Sequence, residues 1–247
     1  MQRAMIQNAT ELMGYIQQVG FLPLLDSGIA GYSADEAVDP DCRYVLLDDG
    51  SWDWPLWDWK GPIITESGCV YGKFFNKKAG FVSREWWPDF YNYRRSVHAA
   101  PSAGSIEETI LLTLREHGSL ITRDLRRACG FTEPNAPIKR DMNRVYSNSA
   151  ERKVARPVGN MRSRFDGYVT RLQMACRIVT EDFVYPRDKH GHKYGWGWAL
   201  LSTPEQLLGK EACQCNRTPE ESWERMFSHL KHLLPQATEK EIKKFIQ

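Results

Sequence analysis

Ile106-Glu107-Glu108-Thr109-Ile110-Leu111-Leu112-Thr113-Leu114, then His117-Gly118-Ser119-Leu120-Ile121, then Thr122-Arg123-Asp124-Leu125-Arg126-Arg127-Ala128-Cys129 is the stretch that decides the fold. The first run is amphipathic and reads as a helix. The second is a turn with a short strand-like piece. The third is a second short helix, stopped by Gly130. Further on, Phe165 to Cys176 reads as a third helix. Two extended runs follow, Arg177 to Tyr185 and Tyr194 to Ser202, separated by a polar, Gly-containing tip. Helix, helix, helix, hairpin is the order of a winged helix over Ile106 to Thr203. That unit commonly grips duplex DNA, which directs attention to the third helix and the hairpin tip.

Charge supports this direction. The chain of 247 residues has a net charge of +2, but Arg115 to Arg177 holds 14 Lys/Arg against 6 Asp/Glu, a local balance of +8 that leaves −6 for the remainder. Such asymmetry suits a phosphate-facing surface beside a more neutral body, although charged runs are also often merely solvated. Hydrophobic content of 42% and charged content of 26% are ordinary for a globular chain. The six cysteines are scattered, Met1 to Thr10 lacks a signal-peptide core, and no apolar run is long enough to span a bilayer. Reduced thiols and a cytoplasmic location are therefore expected, with no membrane partner. Cys213-Gln214-Cys215 lacks a second pair at metal spacing, so no metal is expected; His190 and His192 read as solvated turn residues. No phosphate-binding glycine loop, Ser-His-Asp order or zinc-hydrolase motif is present, and no cofactor is implied.

The fold class expected is α+β, mostly α. Residues 1–100 read as an N-terminal α+β domain with a Trp-rich segment and a β-hairpin, 106–203 as the winged helix, and 204–247 as C-terminal helices packing on the body. Thr10 to Val19 is a short helix, with Leu12, Met13, Ile16 and Val19 at helical spacing. Ser51 to Lys60 reads SWDWPLWDWK, with four tryptophans in ten residues. After it, Ile63-Ile64-Thr65 is expected to pair with Val70 to Phe74 as a hairpin. Asn76 to Gly80 is a basic turn, and Phe81 to Arg95 begins extended and becomes helical. Ala100 to Ser105 is a linker. Phe131 to Asn160, broken by Pro134, Pro137 and Pro157, reads as a basic insertion between the second and third helices. Thr203-Pro204 and Thr218-Pro219 each open a helix, and Thr238 to Ile246 is the last.

On the third helix, Phe165, Val169, Leu172 and Cys176 should face the core, and Asp166, Thr170, Gln173 and Arg177 the opposite side. Gln can bond adenine and Arg guanine through two contacts each. Arg162, Arg164 and Arg171 flank that face and could hold phosphates. The tip Pro186-Arg187-Asp188-Lys189-His190-Gly191-His192-Lys193 could track a backbone with Lys189, His190, His192 and Lys193. The plainer alternatives are a polar helix exterior and an ordinary charged tip. The tryptophans could stack on an exposed base, but burial accounts for most such rings. Asp26, Asp53, Asp58 and Glu85 are weak catalytic candidates; an acid beside aromatic walls can act as a general base.

Gly20-Phe21-Leu22, Ala79-Gly80-Phe81-Val82-Ser83-Arg84-Glu85-Trp86-Trp87-Pro88-Asp89-Phe90-Tyr91-Asn92-Tyr93-Arg94-Arg95, His117-Gly118-Ser119-Leu120 and Thr170-Arg171-Leu172-Gln173 together resemble the AlkZ-like winged-helix proteins, and more closely a short AlkZ-related branch. The resemblance covers Leu12 to Thr203 and extends toward the C-terminal helices. It implies tandem winged-helix units, helix-turn-helix elements with hairpin wings, and affinity for duplex DNA. Full-length members are bacterial DNA glycosylases that remove alkylated or crosslinked bases. Their catalytic signature, Gln, an apolar residue, then Gln or Asp, follows shortly after a Gly-apolar-Leu segment. Here Pro23-Leu24-Leu25 follows Gly20-Phe21-Leu22, and neither Pro23 nor Leu25 can orient or deprotonate a water.

The expectation is a DNA-binding protein, kin to alkylation-repair glycosylases, lacking their catalytic pair and leaning away from enzyme activity. One rival is an active glycosylase with a displaced carboxylate. The other is a protein-interaction module whose basic charge is incidental.

Overall fold

The computed structural model describes residues 5–48, 50–131, 161–191, 193, 195 and 197–247, with the backbone alone for 161–163. The basic stretch expected between the second and third helices, from 132 to 160, lies outside the described residues, as does His192. The fold is a mixed α+β structure.

The first half of the chain opens with α1 (Ala9–Val19), capped by the Asn8 side chain on the Glu11 amide, and buries Leu12, Ile16 and Val19. Gly20, at φ +80°, turns the chain into β1 (Phe21–Pro23). Two short helices, α2 (Ala34–Ala37) and α3 (Pro40–Arg43), lead to a small hairpin, β2 (Val45–Leu46) with β3 (Trp52–Asp53). Next comes α4 (Pro55–Ser67), then the hairpin of β4 (Val70–Phe75) and β5 (Lys78–Val82). Asn76 and Lys77 form its tip with φ of +48° and +66°, the backbone twist that a two-residue hairpin requires. The helix α5 (Trp87–Val97) closes this half.

The hairpin expected between Ile63-Ile64-Thr65 and β4 does not form, because those residues belong to α4. Gly61 and Pro62 disfavour a helix locally, and Pro62 deprives the Asp58 carbonyl of its helical partner. Burial decides otherwise: Leu56, Lys60, Ile63 and Ile64 lie at helical spacing and all are buried. Strand β4 pairs instead with β5 on one side and, through Tyr71 and Thr180, with the second half on the other.

The second half follows a similar order, without counterparts of one short helix and of the β2–β3 hairpin. Helix α6 (Ile106–His117) is capped by Ser105 on the Glu108 amide. It is followed by β6 (Leu120–Ile121), α7 (Thr122–Ala128), α8 (Met161–Met174), β7 (Val179–Val184) and β8 (Trp198–Ser202). The strands make one six-stranded sheet ordered β1-β5-β4-β7-β8-β6. From either edge inward the sheet reads the same way: a short strand, the second strand of a hairpin, then the first. The two halves thus meet at the antiparallel pairing of Tyr71 with Thr180. The chain shows no fixed-period repeat because the likeness is one of element order.

The C-terminal helices α9 (Pro204–Leu208), α10 (Pro219–Leu233) and α11 (Glu239–Ile246) follow a short linking turn. Reciprocal capping boxes, Thr218 with Glu221 and Thr238 with Glu241, start α10 and α11. Both helices send side chains into the first half's core: Met226, Leu230, Leu234, Ile242, Phe245 and Ile246 join Phe21, Phe74, Phe75 and Phe90. The second half has its own smaller core, with Ile110, Leu114, Leu125, Phe131, Phe165, Leu172 and Leu201 at its centre.

Candidate nucleic-acid interface

The third helix of the second half buries the face that helical spacing assigns to the core: Phe165, Val169, Leu172 and, just beyond its end, Cys176. Its other face is not open along its length, because β4 of the first half packs against α8. Gln173 is buried, accepts a hydrogen bond from the Lys73 amide at 3.2 Å, and approaches the Thr180 hydroxyl at 3.4 Å. Arg177 is also buried and donates to the His98 carbonyl at 3.3 Å. Both side chains therefore serve the joint between the halves in this conformation. Thr170 is half-buried and donates to the Asp166 carbonyl one turn back. Arg164 and Arg171 remain exposed. Arg171 donates to the Glu107 carboxylate at 2.6 Å and lies over the Tyr168 ring, so part of its charge is already matched. Arg126 likewise pairs with Asp166 at 2.9 Å. The Arg162 side chain lies outside the described residues.

The first half behaves reciprocally. Strand β7 of the second half packs against α4. Gly61 makes this close approach tolerable, since a Cβ there would sit 3.2 Å from the Asp182 carboxylate. Each half's hairpin thus packs against a helix of the other half, β4 against α8 and β7 against α4.

What the hairpins leave exposed is their tips. In the first half these are Lys77 and Lys78, with Lys73 exposed along β4. In the second half Arg187, Lys189, His190 and Lys193 are exposed beyond an isolated bridge between Arg187 and Lys193. Asp188 is the acid of that tip, and its carboxylate accepts the His190 backbone amide.

The four candidate carboxylates fall in different settings. Asp26 is exposed and accepts the Gly28 amide. Asp53 accepts the Trp54 amide. Glu85 is exposed and pairs with Arg225 at 3.1 Å. Asp58 accepts the Tyr185 hydroxyl at 3.0 Å and lines a groove of about 510 Å³ between α4 and the β7–β8 hairpin, with Thr65, Glu66, Asp182, Phe183 and Lys193. Burial and the nearby Asp58 and Asp182 push the Tyr185 hydroxyl far above its usual range, so it stays a donor.

A family model described as AlkZ related matches residues 6–247. The chain belongs to the AlkZ-related family. No curated protein and no solved structure matches it. In this AlkZ-related chain the segment after Gly20-Phe21-Leu22 is sheet edge and turn. Pro23 pairs with Gly80, the Leu24 amide donates to the Ala79 carbonyl, and Leu25 is exposed.

Of the tryptophans in SWDWPLWDWK, Trp52 is exposed, whereas Trp54, Trp57 and Trp59 are half-buried against the core, with Trp54 stacked on Trp57. Sequence reasoning missed Lys60. It is fully buried on α4, and its amine sits 2.9 Å from the Trp57 ring centroid and 4.1 Å from that of Phe183. Its place on the Leu56–Ile63–Ile64 stripe was a visible signal, lost when Ile63 to Thr65 is read as a strand. All six cysteines are free thiols. Among the described residues, no group of three or more His, Cys, Asp or Glu is arranged to hold a metal ion, and no helix is long and apolar enough to cross a membrane.

Proposed function

We propose that the chain binds duplex DNA, that each half is a winged-helix unit, and that the two wings make the principal backbone contacts. The observation that carries this reading is the pairing of the covered helices α4 and α8 with exposed tips that carry Lys77 and Lys78 on one hairpin and Lys189 and Lys193, with His190 between them, on the other. Ammonium groups at two hairpin tips suit a regularly spaced polyanion, and they demand no base-edge geometry. Arg164, and Arg171 if it exchanges Glu107 for phosphate, extend the contact along α8. Kinship to AlkZ-like glycosylases supports DNA as the polyanion and repair as its setting. Pro23 and Leu25 stand where the resemblance places the catalytic pair, so we read the chain as lacking that chemistry. The test is retention of the protein on duplex DNA at about 50 mM salt, where several phosphate contacts give strong binding. A protein that passes unretained contradicts the reading.

A second reading, excision of a damaged base, is favoured by Asp58 alone. Of the four candidate carboxylates, it is the one that lines a groove and accepts a neighbouring hydroxyl. Release of free base from alkylated duplex, lost in Asp58→Asn, establishes it; absence of release in the natural chain removes it.

A further inference from the structure

Lys60 combines features that a structural lysine rarely shows together. Its side chain has no exposed surface, and its amine has no hydrogen-bond partner. Two aromatic rings, Trp57 and Phe183, form its box. One of them, Phe183, is also a wall of the groove between α4 and the β7–β8 hairpin. The amine therefore lies one half-buried ring away from a cavity whose other walls offer Asp58, Glu66, Asp182 and the Tyr185 hydroxyl. Carboxylates of that density accept hydroxyl hydrogens well, and Lys193 on the same wall offsets part of their charge.

We propose that this groove is a sugar-aldehyde site, in which the Lys60 amine condenses with the carbonyl of an open-chain sugar once the Phe183 ring swings aside. The nitrogen lone pair forms a C–N bond to the carbonyl carbon, the carbonyl oxygen leaves as water, and the two protons it takes come from the nitrogen. The Tyr185–Asp58 hydrogen bond, 3.0 Å long, gives those protons a relay within the groove. Asp58, Glu66 and Asp182 would hold the sugar hydroxyls. Desolvation is how amines are made nucleophilic. Burial pulls the Lys60 amine down to about 7 against the opposing pull of Asp58, so a large neutral fraction exists at neutral pH.

Such an aldehyde has two sources, a free sugar or an abasic nucleotide in duplex DNA; only the second rests on the DNA-binding reading. The experiment incubates the full chain with cyanoborohydride and either free 2-deoxyribose or a duplex carrying one abasic site, then maps modified lysines by mass spectrometry. Reduction converts the imine to a stable secondary amine. Lys60 is expected to be modified at least about tenfold faster than the exposed Lys77 and Lys189. Phe183→Ala should accelerate that modification, and Lys60→Met should abolish it while keeping a cooperative unfolding transition. Adduct from one source alone assigns the site to that source. No adduct at Lys60 in either arm, or adduct only in Phe183→Ala, overturns the proposal. Retention of the same duplex without reductant is scored separately, so that loss of DNA binding and loss of imine chemistry are told apart.

Discussion

The backbone amide of Lys73 donates to the Gln173 side chain at 3.2 Å, so the residue best suited on α8 to read adenine is committed to a strand of the other half. Gln173→Ala leaves the part-buried Lys73 amide without this partner, and a loss of about 1 kcal/mol in denaturant unfolding is expected, with duplex affinity nearly unchanged. A fall in affinity at constant stability would mean that Gln173 leaves the joint to contact DNA.

Lys60 makes stability depend on pH in a definite direction. Its amine titrates at about 7 in the fold and near the ordinary lysine value of 10.5 when unfolded. Between those values the unfolded chain holds a proton that the folded chain lacks, so stability rises as pH rises from 7 to 10.5. The slope from this one group is at most about 1.4 kcal/mol per pH unit. Lys60→Met removes it and should be more stable than the natural chain at pH 7. Urea unfolding of both proteins at pH 7, 8 and 9 checks this through the difference between them, and parallel pH profiles would contradict it.

Asp89 fastens the C-terminal helices to α5. Its buried carboxylate accepts from Arg217 at 3.2 Å and from Arg225, and Arg225 also lies over the Trp86 ring. Asp89→Ala removes the acceptor that these two partly exposed guanidinium groups share, and a loss of stability is expected. Arg225→Ala should cost less, because Arg217 still serves the carboxylate. Thermal unfolding of the two variants gives the order, and an equal or reversed order would contradict it.

The second half was legible because its signals are local. Ser105 caps α6, Gly130 follows α7, and the stripe of Phe165, Val169 and Leu172 marks α8. The helix starts at Thr218-Pro219 and Thr238 were equally plain. The first half was hidden by Gly61 and Pro62, which lower helix propensity in α4 and conceal the stripe that buries Lys60. Gln173 and Arg177 illustrate a different limit. Their own helix gives them a polar-face spacing, and β4, about 100 residues earlier in the chain, is what buries them. Periodicity describes one element at a time, whereas the reciprocal covering of α4 and α8 depends on how two halves meet. The exposure of Lys189, His190 and Lys193 needed no such knowledge, because they are on a hairpin tip that the sequence already marked as polar.

The proposed role of the two hairpin tips in DNA binding is tested most directly by the salt dependence of duplex affinity in a variant with Lys77, Lys78, Lys189 and Lys193 all changed to alanine. Each lost phosphate contact should lower the slope of log affinity against log salt by about 0.9, so the variant should be shallower by up to about 3.6 and weaker at low salt, whatever the duplex sequence. An unchanged slope, in a protein that unfolds at the same denaturant concentration as the natural chain, would show that the wings do not hold the backbone.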